Sequence, residues 1–263
     1  MIDLHVHILP GIDDGPRTSD AAVALARAAV DAGTSTIVAT PHVSWAYPTD
    51  AGAIDRVADD LRVRLRETGT PAELICGAEI AMTRVGSIGA HELGRLAIGR
   101  GPWLLMETPF TPSWGDLAGV VERLQLAGHR VLLAHPERCL AFRRDPAALE
   151  ELVGTGVLTS ITAGSLVGAF GEEVRMFALA LVRGGLAHNV ASDAHDLVRR
   201  PPRVLENLRA AGLEPLANWL TVAVPRAILS GDEIPPRPSV QLAGVDDNRA
   251  AWRRGTQRFR RAS

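Results

Sequence analysis

Histidine and acidic residues recur along the sequence in short motifs that could bind divalent metal ions. Two of these motifs, His5-x-His7 and Asp193-x-His195, place two such residues two positions apart. Successive side chains of a strand point to opposite faces, so both members of each motif would share one face. Imidazole and carboxylate groups are ordinary ligands of zinc, iron and manganese. The other candidates are Asp13, Asp14, His42, Glu79, Glu107 and His135.

The elements that would position these residues are short apolar segments that alternate with stretches of helical spacing. Such short apolar runs are typical of parallel strands that are buried on both faces. The alternation continues through the chain without a linker, which predicts an α/β fold with a closed seven-stranded parallel barrel. The predicted strands are 2–6, 35–39, 73–77, 102–106, 130–134, 157–161 and 186–191, and the predicted helices are 18–32, 52–67, 114–127, 145–153 and 170–183.

Nearly every predicted strand ends at or just before a candidate ligand. The carboxyl ends of barrel strands meet at one mouth, where the active sites of such barrels form. Imidazoles and carboxylates that crowd together there would repel one another or lose solvation unless cations bind them. A single His-x-His motif is a weak signal, whereas the ordered set indicates a metal site. The segment DDGP (13–16) is also typical of a turn, so Asp14 could be a turn residue rather than a ligand, with Asp13 as the residue that caps the turn.

The composition excludes several other classes of function. Hydrophobic residues make up 46% of the 263 residues and charged residues 22%, which is typical of a globular protein. All 28 basic residues are arginine, so every mechanism that requires a lysine is excluded. Residues 1–248 hold 22 arginines against 30 acidic residues, and a body of that charge is a poor nucleic-acid binder.

We expect a cytoplasmic protein without a membrane span. The sequence has no apolar run of about 18 residues and no signal-peptide pattern at its start. Its two cysteines cannot build a disulfide framework. Six positions after Cys76 and Cys139 stand Met82 and Asp145, not the arginine that a cysteine-dependent phosphatase uses. Residues 1–232 are predicted to form the catalytic body, and residues 233–263 a Pro-rich and then Arg-rich tail.

Eight segments, in order over roughly the first 230 residues, carry a resemblance to a known family. They are IDLHVHILPGIDDGP (2–16), ATPH (39–42), GAEI (77–80), ME (106–107), AHPER (134–138), TAGSLVGAFG (162–171), ASDAH (191–195) and RPP (200–202). Together they resemble the PHP (polymerase and histidinol phosphatase) superfamily. Within it, they are most similar to the metal-dependent protein-tyrosine phosphatases of bacterial capsule and exopolysaccharide loci. The resemblance implies a distorted seven-stranded (β/α)7 TIM-like barrel.

The resemblance also implies three divalent metal ions, with manganese as the usual metal and iron or zinc as substitutes. A mixed set of carboxylates and imidazoles does not by itself select one metal. The resemblance distributes the ligands as follows: His5, His7, Glu79 and Asp193 hold one ion, Glu79, Glu107 and His135 a second, and Asp14, His42 and His195 the third.

Two arginines complete the predicted site. Arg138 comes three residues after His135, and Arg200 comes five residues after His195. A guanidinium group offers forked donors that match phosphate oxygens, and the resemblance assigns both residues to substrate binding. Pairing with acidic groups at the rim is the alternative role. The predicted reaction is hydrolysis of a phosphomonoester by a metal-bridging hydroxide, without a protein nucleophile.

The resemblance implies that the substrate is phosphotyrosine in a protein, such as a bacterial tyrosine kinase that regulates capsule or exopolysaccharide synthesis. It also allows a homo-oligomer. Two alternatives stay open: a small-molecule phosphatase of the histidinol-phosphate type, and a non-catalytic metal-binding regulatory module. Trp45 and Tyr47 could stack on an aryl substrate or pack their own loop, and His188 is expected to lie in the core or behind the ligands.

Overall fold

The described part of the chain, residues 1–109 and 115–242 of a computed structural model, alternates short strands with helices. Most strand residues are buried, because the helices cover the outer faces of the strands. Within these ranges the strands are β1 (Ile2–Val6), β2 (Thr36–Ala39), β3 (His42–Val43), β4 (Glu73–Cys76), β5 (Glu79–Ala81), β6 (Trp103–Glu107), β7 (Arg130–Ala134), β8 (Leu158–Thr162) and β9 (Asn189–Ala191).

Every strand pair is parallel, and the pairs form two sheets. One sheet has the order β1-β2-β4, and the other has the order β3-β5-β6-β7-β8-β9. An isolated parallel bridge joins Val6 at the end of β1 to Ala194, just after β9. Beside it, the backbone N–H of His7 donates to the carbonyl of Ala194 at 3.0 Å. The predicted parallel α/β fold is therefore confirmed.

The strand count differs from the prediction of seven strands in one closed barrel. Nine strands form in the described ranges, because the second and third predicted strands are each followed by a short additional strand, β3 and β5. Thr40 and Pro41 separate β2 from β3, and proline has no N–H to donate to a neighbouring strand. Gly77 and Ala78 separate β4 from β5, and a Cβ on Gly77 would lie 3.2 Å from the Cα of Ile98. These interruptions divide the strands between sheets of three and six strands.

The two longest helices begin at side chains that cap their free N–H groups. Thr18 accepts from the N–H of Ala21 at 3.2 Å, and Asp50 accepts from that of Ala53 at 2.7 Å. The described helices are α1 (Ser19–Asp31), α2 (Ala51–Glu67), α3 (Met82–Val85), α4 (Ala90–Leu96), α5 (Leu117–Leu126), α6 (Leu140–Arg144), α7 (Pro146–Gly154), α8 (Glu172–Arg183), α9 (Val204–Ala210) and α10 (Val224–Ser230).

One hydrophobic core lies between the strands and these helices. Its fully buried side chains include Leu4 on β1, Leu104 on β6 and Phe177 on α8. These strands therefore have rigid surroundings, and polar residues at their carboxyl ends are held in defined positions.

Residues 233–242 lie against this body. The indole N–H of Trp219 donates to the carbonyl of Pro235 at 3.0 Å, and Leu242 is buried. The Arg-rich segment 249–263 lies outside the described residues. In the described ranges, no helix combines the length and the apolar character needed to span a membrane.

Candidate metal centre

The carboxyl end of β1 brings two imidazoles to one point. His5 and His7 are both buried, and their Nε2 atoms lie 3.1 Å apart because alternate residues of an extended chain share a face. Both Nε2 atoms also face the Oε2 atom of Glu79, at 3.3 Å from His5 and 3.2 Å from His7.

Glu79, the first residue of β5, lies at the middle of the cluster. Its Oε1 is 2.7 Å from Nε2 of His135, and its Oε2 is 3.1 Å from Nδ1 of His42. Burial favours the neutral acid, but His5, His135 and His42 outweigh burial and hold the pKa of Glu79 well below its usual value. The carboxylate is therefore an anion surrounded by imidazoles from three other strand ends.

Two ligand candidates sit on strained backbone. His135 has φ +33° and Asp193 has φ +53°, a region that residues other than glycine rarely adopt. The N–H of Asp193 donates to the carbonyl of His5 at 2.9 Å, and this bond holds the strained turn against β1. As a result, Asp193 Oδ1 lies 3.4 Å from Nε2 of His5 and 3.5 Å from Nε2 of His7.

A second group of ligand candidates meets nearer the surface. Asp14 Oδ1 lies 3.2 Å from Nε2 of His195, 3.6 Å from Nε2 of His42 and 3.9 Å from Nδ1 of His7. Partial burial opposes ionisation, yet His195 and the other imidazoles lower the pKa of Asp14. The Asp14 side chain is 42% exposed, so this group of ligand candidates is accessible to solvent.

Glu107, the last residue of β6, lies at the edge of the cluster. Its carboxylate oxygens are 3.9 Å from Nδ1 of His42 and 3.9 Å from Nε2 of His135. Burial and the neighbouring charge of Glu79 raise the pKa of Glu107 to about 7. A second carboxylate beside Glu79 is thus unfavourable unless a cation or a proton neutralises it.

Asp13 supports the ligand candidates from behind. Its Oδ2 lies 2.7 Å from Nδ1 of His7 and accepts from the N–H of His42 at 3.1 Å, while its Oδ1 accepts from the N–H of Gly15 at 3.0 Å. Asp13 therefore caps the turn and leaves Nε2 of His7 to face the cluster. Although burial lowers the pKa of His7, the nearby carboxylates of Asp13 and Glu79 raise it to about 10. The sequence suggested that Asp13 could cap the turn, but it did not predict the contact with His7.

Both predicted arginines reach the cluster and contact Asp193. Nη1 of Arg138 donates to Asp193 Oδ2 at 2.9 Å, and Nη2 of Arg200 donates to the same oxygen. Nη1 of Arg200 also lies 2.9 Å from Nε2 of His195. The guanidinium groups are therefore close enough to bind an anion at the cluster.

A buried glutamate that sequence reasoning missed connects two of the motifs. Glu137 Oε1 accepts from the N–H of Thr162 at 3.0 Å and from the hydroxyl of Ser165 at 2.7 Å. Burial raises the pKa of Glu137 to about 7. These bonds tie the turn that carries Arg138 to the segment after β8, so Glu137 positions both.

The two aromatic residues that follow His42, Trp45 and Tyr47, differ in how close they lie to the cluster. Tyr47 stacks on His42 with ring centroids 5.6 Å apart, whereas Trp45 is 66% exposed with the Arg84 guanidinium 4.4 Å from its ring centroid.

The free thiols of Cys76 and Cys139 are not part of the imidazole–carboxylate cluster. The Cys76 thiol lies 3.2 Å from an Arg62 nitrogen, and Cys139 is buried.

The donor atoms of the cluster fit divalent metal ions. Glu79 Oε2 and Asp193 Oδ1 are buried and accept no hydrogen bond from any described residue, although imidazole nitrogens face both. Such oxygens need a cation or a proton as a partner. Donor atoms within 4.8 Å of one another form three groups: His7, Asp14, His42 and His195; His5, His7 and Asp193; and His42, Glu79 and Glu107.

Known proteins have sequences similar to this one. A family model described as "Capsular polysaccharide synthesis, CpsB/CapC" matches residues 1–212. Tyrosine-protein phosphatase YwqE of Bacillus subtilis (strain 168) is 38% identical over 203 residues, which cover 76% of this chain and 79% of that protein. The putative tyrosine-protein phosphatase CapC of Staphylococcus aureus is 33% identical over 202 residues, which cover 76% and 79%.

Two solved structures are similar to the structure of this chain. One, from a study of YwqE from Bacillus subtilis and CpsB from Streptococcus pneumoniae as metal-dependent tyrosine phosphatases, matches with a TM-score of 0.80 and 35% identity. That match covers 92% of this chain and 100% of the other. An organophosphorus hydrolase variant from Deinococcus radiodurans matches with a TM-score of 0.53 and 18% identity over 86% of this chain and 91% of its own, which shows a shared fold alone.

Proposed function

Because the chain belongs to the CpsB/CapC family of capsular polysaccharide synthesis, we propose that it is a metal-dependent phosphatase that removes phosphate from tyrosine residues of proteins. The observation that carries the proposal is the pair of buried carboxylate oxygens, Glu79 Oε2 and Asp193 Oδ1, which face imidazoles without a hydrogen-bond donor among the described residues. The relatives that carry the name tyrosine-protein phosphatase support the choice of substrate.

We propose three divalent ions, with manganese as the first metal to test. The proposed ligands are those of the predicted site. All except His135 belong to the three groups of close donor atoms, although those groups divide the residues differently, and Nε2 of His135 lies 2.7 Å from Glu79 Oε1. When bound, such ions supply positive charge for phosphate oxygens and lower the pKa of water. The proposed ligands are His5, His7, Asp14, His42, Glu79, Glu107, His135, Asp193 and His195.

In this proposal the side chains of the protein bind and orient the phosphate. Arg138 and Arg200 exchange part of their bonding with Asp193 for the phosphate oxygens of the substrate, since their forked donors match those oxygens. They stabilise the negative charge of the transition state in a site from which burial excludes most water. Asp13 holds the proton on Nδ1 of His7 and so keeps Nε2 available.

We further propose that the two sheets close into one distorted barrel. The Val6–Ala194 bridge and the bond between the N–H of His7 and the carbonyl of Ala194 support this closure. Residues 1–232 would then form the catalytic body and residues 233–263 a Pro-rich and then Arg-rich tail that begins against this body. The proposed protein substrate is a tyrosine kinase of polysaccharide synthesis in the cytoplasm. A homo-oligomer is compatible with this role.

The test uses the full chain and compares its activity on two phosphomonoesters. We expect the kcat/KM for a phosphotyrosine peptide to exceed that for histidinol phosphate, and we expect a chelator to abolish both activities until manganese is restored. Glu79→Gln should remove turnover, whereas Glu73→Gln, a matched change at the start of β4, should not. Preference for histidinol phosphate would make the protein a small-molecule phosphatase, and activity that survives chelation would contradict the metal requirement.

A further inference from the structure

A small cavity lies beside the metal centre, between the segment after β8 and the segment before α9. Its volume is about 160 Å³. Thr162, Val167 and Phe170 line one side, and Arg199, Arg200 and Arg203 line the other. We call this cavity the arginine pocket.

The charge of the arginine pocket is positive. Three of its lining residues are arginines, and none is Asp or Glu. Within the described ranges, the Arg199 guanidinium makes no hydrogen bond or close ion pair and only attracts the nearby carboxylate of Asp196, while Arg203 has only an exposed pair with Glu206 at 3.6 Å. By contrast, Arg95 and Arg100 both lie 2.9 Å from the carboxylate of Asp55. Arg199 and, in large part, Arg203 therefore offer the pocket donors that hydrogen bonds within the protein do not use.

The backbone that carries these arginines is held in place before any ligand binds. Asp196 Oδ1 accepts from the N–H of Val198 at 2.7 Å and from that of Arg199 at 2.5 Å. The N–H of His195 donates to the carbonyl of Arg200 at 3.0 Å, which closes the turn. A preorganised site loses less entropy when it binds.

The arginine pocket is continuous with the metal centre. Arg200 lines the pocket and also lies 2.9 Å from Nε2 of His195. The Thr162 hydroxyl, on the other side, donates to Asp193 Oδ2 at 3.4 Å. The Phe170 ring lies 4.5 Å from the guanidinium of Arg138. A peptide with its phosphotyrosine at the metal centre therefore has a neighbouring residue within reach of the pocket.

We propose that the arginine pocket binds a second anionic side chain of the phosphotyrosine substrate, close in sequence to the phosphotyrosine. This inference rests on the proposed phosphatase function and adds a substrate preference to it. Arginine clusters bind carboxylates and phosphate esters through the same charge-assisted hydrogen bonds, so either group could be the ligand. The aliphatic and aromatic side of the pocket contacts the carbon chain of that residue.

The test uses phosphotyrosine peptides that differ only beside the phosphotyrosine. One peptide has Glu on both sides, a second has Gln, a third has phosphoserine, and a fourth has serine. Turnover is followed by the fluorescence of the tyrosine product, so that phosphate released from phosphoserine does not interfere. We expect a kcat/KM about fivefold to tenfold higher for an anionic peptide than for its neutral match. This ratio should fall as added salt screens the arginines.

The double variant Arg199→Gln/Arg203→Gln should lower that ratio to near one. Both residues are exposed, so the variant is expected to fold, and its kcat/KM for the neutral peptides provides the reference in each preparation. Arg209→Gln is the matched control, since Arg209 lies near the end of α9, does not line the pocket and pairs with Glu214. The control should keep the ratio of the natural protein.

The outcomes separate this inference from the proposed function. A preference for the Glu peptide identifies a carboxylate as the ligand, and a preference for the phosphoserine peptide identifies a phosphate ester. Equal kcat/KM for all four peptides overturns the arginine pocket as a subsite and leaves the phosphatase proposal intact. A preference that persists in the double variant also overturns it. No hydrolysis of any peptide in the presence of manganese overturns both proposals.

Discussion

The histidine at the amino end of one strand and the histidines at the carboxyl end of another have different polar contacts. At the amino end of β9, Nδ1 of His188 accepts a hydrogen bond from the N–H of Thr159 at 3.2 Å. At the carboxyl end of β1, the Nε2 atoms of His5 and His7 lie 3.1 Å apart and face Glu79 Oε2, which accepts no hydrogen bond from the described residues. Histidine thus supports the fold at the amino end of β9, and it belongs to the candidate metal centre at the carboxyl end of β1.

The difference shows that burial of polar groups does not by itself identify a functional site. Near His188, the Ser160 hydroxyl donates to Asn189 Oδ1 at 2.5 Å, and Asn189 Nδ2 donates to the carbonyl of Leu220 at 2.9 Å. These buried groups satisfy one another. At the opposite end, the oxygens of Glu79 and Asp193 point at imidazole nitrogens instead, which is an arrangement that suits cations.

The largest expected effect comes from a change at the carboxyl end. Asp193→Asn removes the charge but keeps the shape, and asparagine tolerates the left-handed backbone that Asp193 adopts at φ +53°. We expect the kcat/KM for a phosphotyrosine peptide to fall by more than about 10³-fold, beyond the cost of losing an oxyanion donor, since changes to groups that only support a ligand already cost about 10- to 100-fold. Steady-state kinetics with excess manganese measure this loss. Activity near that of the natural protein would show that Asp193 is not a ligand of the catalytic metal site.

A smaller loss is expected when one arginine of the site is replaced. Arg138→Gln takes away a charged donor that lies 2.9 Å from Asp193 Oδ2, beside the place proposed for the phosphate. We expect kcat to fall by about 10²- to 10³-fold, as for the loss of an oxyanion donor, while the metal content stays that of the natural protein. A variant that loses metal instead would show that Arg138 only supports the ligands.

Replacement of the supporting carboxylate should have an intermediate effect that metal can reverse. Asp13→Asn weakens the bond to Nδ1 of His7, which measures 2.7 Å. We expect the affinity for manganese to fall by about 10- to 100-fold, so that high manganese concentrations restore much of the turnover. A titration of activity with manganese measures this shift. Loss that no metal concentration restores would argue for a direct role of Asp13 in the reaction.

The smallest expected effect on activity comes from the amino end. Burial lowers the pKa of His188 to about 4, below the value of about 6.5 for an exposed imidazole. The unfolded chain therefore takes up a proton as the pH falls below 6.5 while the folded chain does not, so the free energy of unfolding decreases between pH 6.5 and pH 4.

His188→Asn keeps an acceptor near Thr159 and removes this proton uptake. We expect its free energy of unfolding to depend less on pH across that interval, by about 1 to 2 kcal/mol, and its phosphatase activity at neutral pH to match that of the natural protein. Denaturant unfolding at several pH values gives the comparison. An unchanged pH dependence would show that His188 titrates normally in the folded protein.

The sequence contains enough information to predict the set of residues at the carboxyl ends. The position of each donor after a short apolar segment predicts this set, because parallel strands all end on the same side. The interruptions at Pro41 and Gly77 could not be predicted in this way, since they depend on which strand pairs with which. The same limit applies to Asp13 and Glu137, whose partners lie on segments that the local pattern does not connect to them.

The most direct test of the central claim is the metal content of three purified proteins, measured by plasma mass spectrometry after dialysis against manganese and removal of free metal. We expect about three ions per chain in the natural protein and in His188→Asn, and clearly fewer in Glu79→Gln, since the donor atoms of Glu79 belong to the proposed cluster and those of His188 do not. Equal metal content in all three proteins, or phosphotyrosine hydrolysis by a metal-free natural protein, would contradict the account.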